Sequence, residues 1–162
     1  MQALRLPALR ILALVLAASA VLSTSASAAM PIGTAAGVAT PNAAGAKPAR
    51  LKLALSLELR CAKPGPAAIV ISLPRAWRVP KEVAQAAVWI DNSHPRAVTV
   101  SRHTLTLEPL APTGTCTVIA PGTITVKFTR AARLGNPRKS GRYTIHASIG
   151  TQTFTARVPI KP

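Results

Sequence analysis

The sequence predicts an all-β domain, an antiparallel β-sandwich of about seven to eight short strands, on three observations. Residues 51–60 alternate with period two, Leu51, Leu53, Leu55, Leu57 and Leu59 being separated by Lys52, Ala54, Ser56, Glu58 and Arg60. Short apolar and β-branched runs then recur at about ten-residue spacing, with Gly and Pro between them. Almost nothing carries a helical period.

The elements follow in order. The leucines of 51–60 would spread around the whole circumference of a helix, but they line one face of a strand. Lys63-Pro64-Gly65-Pro66 breaks the chain, and residues 67–73 resume as a short strand. Pro74 and Pro80 bracket a connection in which residues 80–85 suit one helical turn, with proline tolerated at its start. Residues 87–90 form a third strand. Asp91-Asn92-Ser93-His94-Pro95 supplies turn chemistry for a hairpin into 97–101. A tight reversal at Arg102 and His103 leads to 104–108. Residues 109–122, with three prolines, two glycines and Cys116, read as a long loop. Strands at 123–129, 142–149 and 152–160 complete the set, the last two joined at Gly150. No internal repeat is present.

Upstream of this domain (51–160) lie two segments of another kind. Arg5 and Arg10 precede an apolar run over 11–22, and small residues follow, ending in Ala26-Ser27-Ala28. Basic, apolar, then A-x-A is the order of a secretory signal peptide, expected to be cleaved after Ala28. The run of 12 apolar residues falls short of the ~20 needed to span a bilayer. Residues 29–50 are rich in Ala, Gly, Thr and Pro, lack aromatic residues and show no periodicity, so they are expected to be a flexible, disordered linker. No cysteine follows the cleavage site to accept a lipid, and residues 155–162 carry no apolar tail. The expected product is secreted or envelope-associated, without a transmembrane anchor.

Charge narrows the partners. The chain has 20 Lys and Arg against 4 Asp and Glu, a net charge of +16. Losing Arg5 and Arg10 with the signal peptide still leaves an excess of about +14, a field that attracts polyanions. For an exported protein those are anionic cell-wall or surface polymers, and nucleic acid ranks behind them. The Arg- and Ala-rich composition points to a bacterial source. Cys61 and Cys116 suit the oxidising compartment that export implies. A bridge between them would close a loop of about 56 residues, worth about 4 kcal/mol in the chain-entropy model. A reactive thiol or metal ligand is the alternative, but neither cysteine has a C-x-x-C or a histidine neighbour.

Catalytic chemistry is sparse. Glu58, Glu82, Asp91 and Glu108 are the only acids, no two within eight positions, so a placed acid/base pair is not expected. Asp91, Ser93 and His94 sit in one turn, where their side chains diverge and serve better as turn formers than as a triad. His103 and His146 have no metal-ligand spacing, and neither a metal nor any cofactor is expected. There is no phosphate loop and no G-x-S-x-G.

One local feature stands above this background. Arg130, Arg133, Arg138, Lys139 and Arg142 fall within 13 residues around a loop, where binding residues on a rigid scaffold tend to lie. Solubility alone would account for them equally well. Tyr143 is their one aromatic neighbour, so the stacking platform of single-strand nucleic-acid binders is missing. Trp89, mid-strand, is expected in the core. Trp77 either covers the end of the sandwich or stands exposed for a glycan or partner.

Ile69-Val70-Ile71-Ser72-Leu73-Pro74, Val79-Pro80, Val88-Trp89-Ile90-Asp91 and Val98-Thr99-Val100 come in that order, followed by Gly122-Thr123-Ile124-Thr125-Val126-Lys127-Phe128, Leu134-Gly135-Asn136-Pro137 and Gly141-Arg142-Tyr143-Thr144-Ile145. Over residues 67–160 this resembles the immunoglobulin-like, or fibronectin-like, β-sandwich domains of bacterial extracellular and surface-layer proteins. The chain departs from that pattern in the longer stretch 109–121 and in its two cysteines, departures explained together if Cys61 and Cys116 pair. The resemblance implies a structural or adhesive module with no catalytic residues. The expected function is therefore a non-enzymatic envelope module binding anionic polymers through the basic loop. A protein-protein interaction module that binds another envelope protein, its charge incidental, is the alternative. A small secreted hydrolase stands third.

Overall fold

The computed structural model describes residues 32–57, 68–109, 122–150 and 152–162. They form nine strands: β1 (Ile32–Thr40), β2 (Arg50–Leu57), β3 (Ile69–Ser72), β4 (Val88–Ile90), β5 (Ala97–Ser101), β6 (Thr104–Glu108), β7 (Gly122–Phe128), β8 (Gly141–Ile149) and β9 (Gln152–Ile160). The expected all-β architecture is what the chain adopts. The strands join one sheet in the order β4-β7-β2-β1-β9-β8-β3-β6-β5, antiparallel throughout except where β1 runs parallel to β9. That sheet curls on itself. Leu51, Leu53, Leu55, Val126 and Phe128 from one half share a single buried core with Ile69, Ile71, Leu105, Leu107, Ile145, Phe154 and Val158 from the other. Among the described residues no helix is long and apolar enough to cross a membrane. The signal peptide lies outside the described residues, as do Cys61, Cys116 and Glu58.

The linker expected at 29–50 is corrected by β1. Residues 34–40 pair with β2, and 32–34 pair with β9, so this strand is the hinge between the two halves. Its alternation is written in small residues. Gly33, Gly37 and Ala39 face inward, while Thr34, Val38 and Thr40 face solvent. A Cβ on Gly33 would overlap the Phe154 ring, and one on Gly37 would lie 2.7 Å from Val158 Cγ2 and 3.1 Å from Leu53 Cδ2. Its neighbours' large side chains fill the space, so β1 needs none and shows no hydrophobic pattern.

Residues 41–49 are also ordered. Ala44 donates to the Lys161 carbonyl and Lys161 to that of Asn42, while Ala49 donates to Leu134. The buried Asn136 side chain donates to Pro41 O at 2.7 Å and Ala43 O at 2.9 Å, fastening this segment to the β7–β8 connection.

Two further expectations change. The one-turn helix lies at Gln85–Ala87 as a 3-10 turn and not at 80–85. Residues 91–95 do not form a hairpin: β4 pairs with β7 at one edge of the sheet, β5 with β6 at the other, and the chain crosses between halves. Ile90 and Ser93 bond each other's backbone at 2.8 and 3.0 Å, so the turn chemistry is satisfied locally without bringing two strands together.

Candidate binding surfaces

The predicted basic loop connects β7 to β8 across one end of the molecule. Its backbone is a buried plug. Leu134 and Asn136 are fully buried, Gly135 exchanges 3.0 Å backbone bonds with Arg78, and Pro137 accepts from Gly45. The charged side chains Arg130, Arg133, Arg138, Lys139 and Arg142 all stand exposed around it. The fold brings two of them together: Arg138 and Lys139 line a groove of about 320 Å³ with Ala76, Arg78 and Tyr143. The Tyr143 hydroxyl donates to the Lys139 carbonyl at 2.8 Å, holding the groove's wall. Arg130, Arg133 and Arg142 do not line it. Arg78 does, a cation that sequence reading placed in no cluster, brought in by the Arg78–Gly135 bridge. Among the described residues the one ion pair is Arg96–Glu108 at 3.8 Å, so no carboxylate there neutralises these loop cations.

A second surface escaped sequence reading altogether. Register across four strands places Trp89 opposite Lys127, Lys127 opposite Lys52, and Lys52 opposite Val38. The adjoining row, Val88-Phe128-Leu51-Ala39, is buried, so the period of two puts the Trp89 row on the outer face. These residues line an open trough of about 670 Å³, together with Thr40, Arg50, Asp91, Asn92 and Thr129. That volume falls within the range of small-ligand sites. Lys52 and Lys127 stand directly opposite each other, where like charges destabilise a sheet.

The tryptophan expectation is thereby corrected. Trp89 is half-buried on the outside, whereas Trp77 is 1% exposed in the core. Parity with Val88 and Ile90, which cover Phe128 and Val126, decides the orientation over bulk hydrophobicity. The Trp89 ring packs against His94 with centroids 3.9 Å apart and planes at 44°. His94 is itself held by Nδ1 donating to Val88 O at 2.7 Å.

The turn trio forms no triad. Asp91 Oδ1 accepts from Thr125 N at 2.8 Å, Ser93 Oγ donates to Ile90 O at 3.3 Å, and His94 is engaged with Val88, each bound to backbone and none to another member. His146 is exposed on β8, 3.5 Å from Thr155 Oγ1, and the His103 carbonyl accepts from Leu73 N. Among the described residues no three His, Cys, Asp or Glu side chains gather in a way that could hold a metal ion.

Comparison with known proteins bears on the fold. The chain is similar to the crystal structure of BslA, a bacterial hydrophobin, with a TM-score of 0.52 and 13% sequence identity, covering 80% of this chain and 98% of that one. Part of a GH20 exo-β-N-acetylglucosaminidase from Vibrio harveyi is a weaker likeness. Its inactive D437A mutant gives a TM-score of 0.35 at 12% identity, and its complex with N-acetylglucosamine gives 0.34 at 14%, each covering 80% of this chain and 18% of the enzyme. No protein-family model matches the sequence, and no curated protein matches it.

Proposed function

We propose that this chain is an exported, non-enzymatic β-sandwich of immunoglobulin-like kind that adheres to anionic polymers of the bacterial cell envelope through its cationic end. One observation carries the reading. Four exposed cations of the β7–β8 connection, and Arg142 at the start of β8, surround a backbone fixed by buried Leu134 and Asn136, with Arg78 added and no carboxylate partner among the described residues. Positive charge concentrated on a held backbone favours polyanions and spares the cost of ordering the loop itself on binding them. The signal-peptide grammar of residues 1–28 supports export, and a bacterial hydrophobin as fold neighbour accords with an extracellular location.

Retention of the secreted protein on isolated envelopes tests this. Binding is expected to weaken steeply as salt shortens the screening length from about 10 Å at 0.1 M to about 3 Å at 1 M. The double variant R138E/K139E is expected to elute at markedly lower salt than the parent. Salt-insensitive retention, or unchanged elution of the variant, overturns the mechanism. One stoichiometric protein partner surviving high salt would put the protein-interaction alternative in its place. The intact mass of the secreted form checks export in the same preparation: cleavage after Ala28 and a deficit of two hydrogens for a Cys61–Cys116 bridge. The described ends of the two cysteine-bearing segments favour that bridge, since Leu57 pairs with Gly122 and Ile69 with Leu107 at one end of the sheet.

A further inference from the structure

We infer that the outer face of the β4-β7-β2-β1 half is a second, separate binding site, one that takes an acidic polysaccharide whose pyranose rings carry carboxylates. It rests on the foregoing reading only for the presence of anionic polymers around the protein. The chemistry of the trough selects the sugar. Trp89 offers a rigid apolar ring to the C–H face of a pyranose, and His94, fastened to Val88 O, packs against that ring with centroids 3.9 Å apart and holds it in place. Lys127 and Lys52 follow in one cross-strand row, with Arg50 two residues along β2 from Lys52, so carboxylates on successive sugars meet cations.

The opposed Lys52–Lys127 pair is unfavourable in the empty sheet and becomes favourable when an anion lies between the ammonium groups. Asp91 and Asn92 at the rim distinguish this surface from a bare polyanion patch. Asp91 gives one carboxylate oxygen to Thr125 N, leaving the other to accept from a sugar hydroxyl, a group that a polyphosphate lacks. Of the two aromatic residues in its lining Phe128 is buried in the core, so Trp89 alone presents a ring and the trough lacks the successive platforms of a nucleic-acid groove.

Tryptophan emission of the full secreted chain reads the site directly. The chain has two tryptophans, and Trp77 is buried at 1% exposure, so solute quenching reports Trp89. Polygalacturonate is expected to shield Trp89 from acrylamide saturably, while dextran and polyphosphate leave it accessible. By calorimetry W89A is expected to bind polygalacturonate about tenfold more weakly, the loss typical of one stacking ring, with W89F close to the parent. R138E/K139E is expected to keep the Trp89 shielding.

W89A binding within twofold of the parent, or Trp89 equally accessible at saturation, overturns the site. Equal shielding by polyphosphate overturns the sugar assignment, and equal shielding by a single-stranded oligonucleotide makes the trough a nucleic-acid site instead. Failure of the end-loop mechanism shows separately, as salt-insensitive envelope retention with Trp89 shielding by polygalacturonate intact.

Discussion

In the β7–β8 connection the backbone is buried and the cations stand off it, whereas on the β4-β7-β2-β1 face the cations are the solvent half of four paired strands. Leu134 and Asn136 hold the loop from beneath, through Ala49, Pro41 and Ala43. The face has no such local anchor. Its row Trp89-Lys127-Lys52-Val38 exists because β4, β7, β2 and β1 keep register across the sheet. Loop charge is therefore a property of one segment and its plug, and face chemistry is a property of pairing between segments distant in sequence. The loop suits any polyanion, while the face combines an aromatic ring, cations and one carboxylate in fixed order.

The comparison breaks most visibly at the plug. Leu134→Ala removes a fully buried side chain beneath the loop and is expected to cost about 2–5 kcal/mol, seen as a lower urea midpoint at unchanged m-value. A loss below about 1 kcal/mol would show that the connection is held by its hydrogen bonds alone.

The face is tested at β1. Gly37→Val raises strand propensity, but its side chain would enter space occupied by Val158 and Leu53. Overpacking outweighs propensity here, and a loss of about 1–3 kcal/mol is expected on denaturant unfolding. A gain in stability would mean that β1 can move outward without disturbing the sheet.

The smallest effect carries the opposite sign. Lys52→Gln relieves a like-charge pair with Lys127 and is expected to stabilise the free protein by about 0.2–1 kcal/mol at low salt, the gain shrinking as salt rises. Destabilisation would show that the two ammonium groups already avoid each other.

How much of this was legible varies by element. Two strands paired over seven residues make the point: β2 displays its inward face as Leu51, Leu53 and Leu55, and β1 displays the same face as Gly33, Gly37 and Ala39. Only β2 could be read, because hydrophobic periodicity detects residues that supply core volume and misses those that make room for it. The loop cations were visible as a run, and all five are exposed. Arg78 was not, because a backbone bridge to Gly135 delivers it. The trough left one usable trace. Val88 and Ile90 flank Trp89, and strict alternation assigns the tryptophan outward once those two are placed in the core.

By itself the sequence determined the all-β class, the positions of most strands and the basic excess. These follow from local periodicity, turn chemistry and composition, each readable within a few residues. Only the tertiary structure decided that residues 32–40 close the sheet, that β4 and β5 lie at opposite edges, that Trp77 enters the core while Trp89 faces outward, and that Lys52, Lys127 and Trp89 share one row. Those outcomes depend on which distant strands pair and on how much volume their side chains already fill. That is a balance of packing between segments, carried by no segment alone.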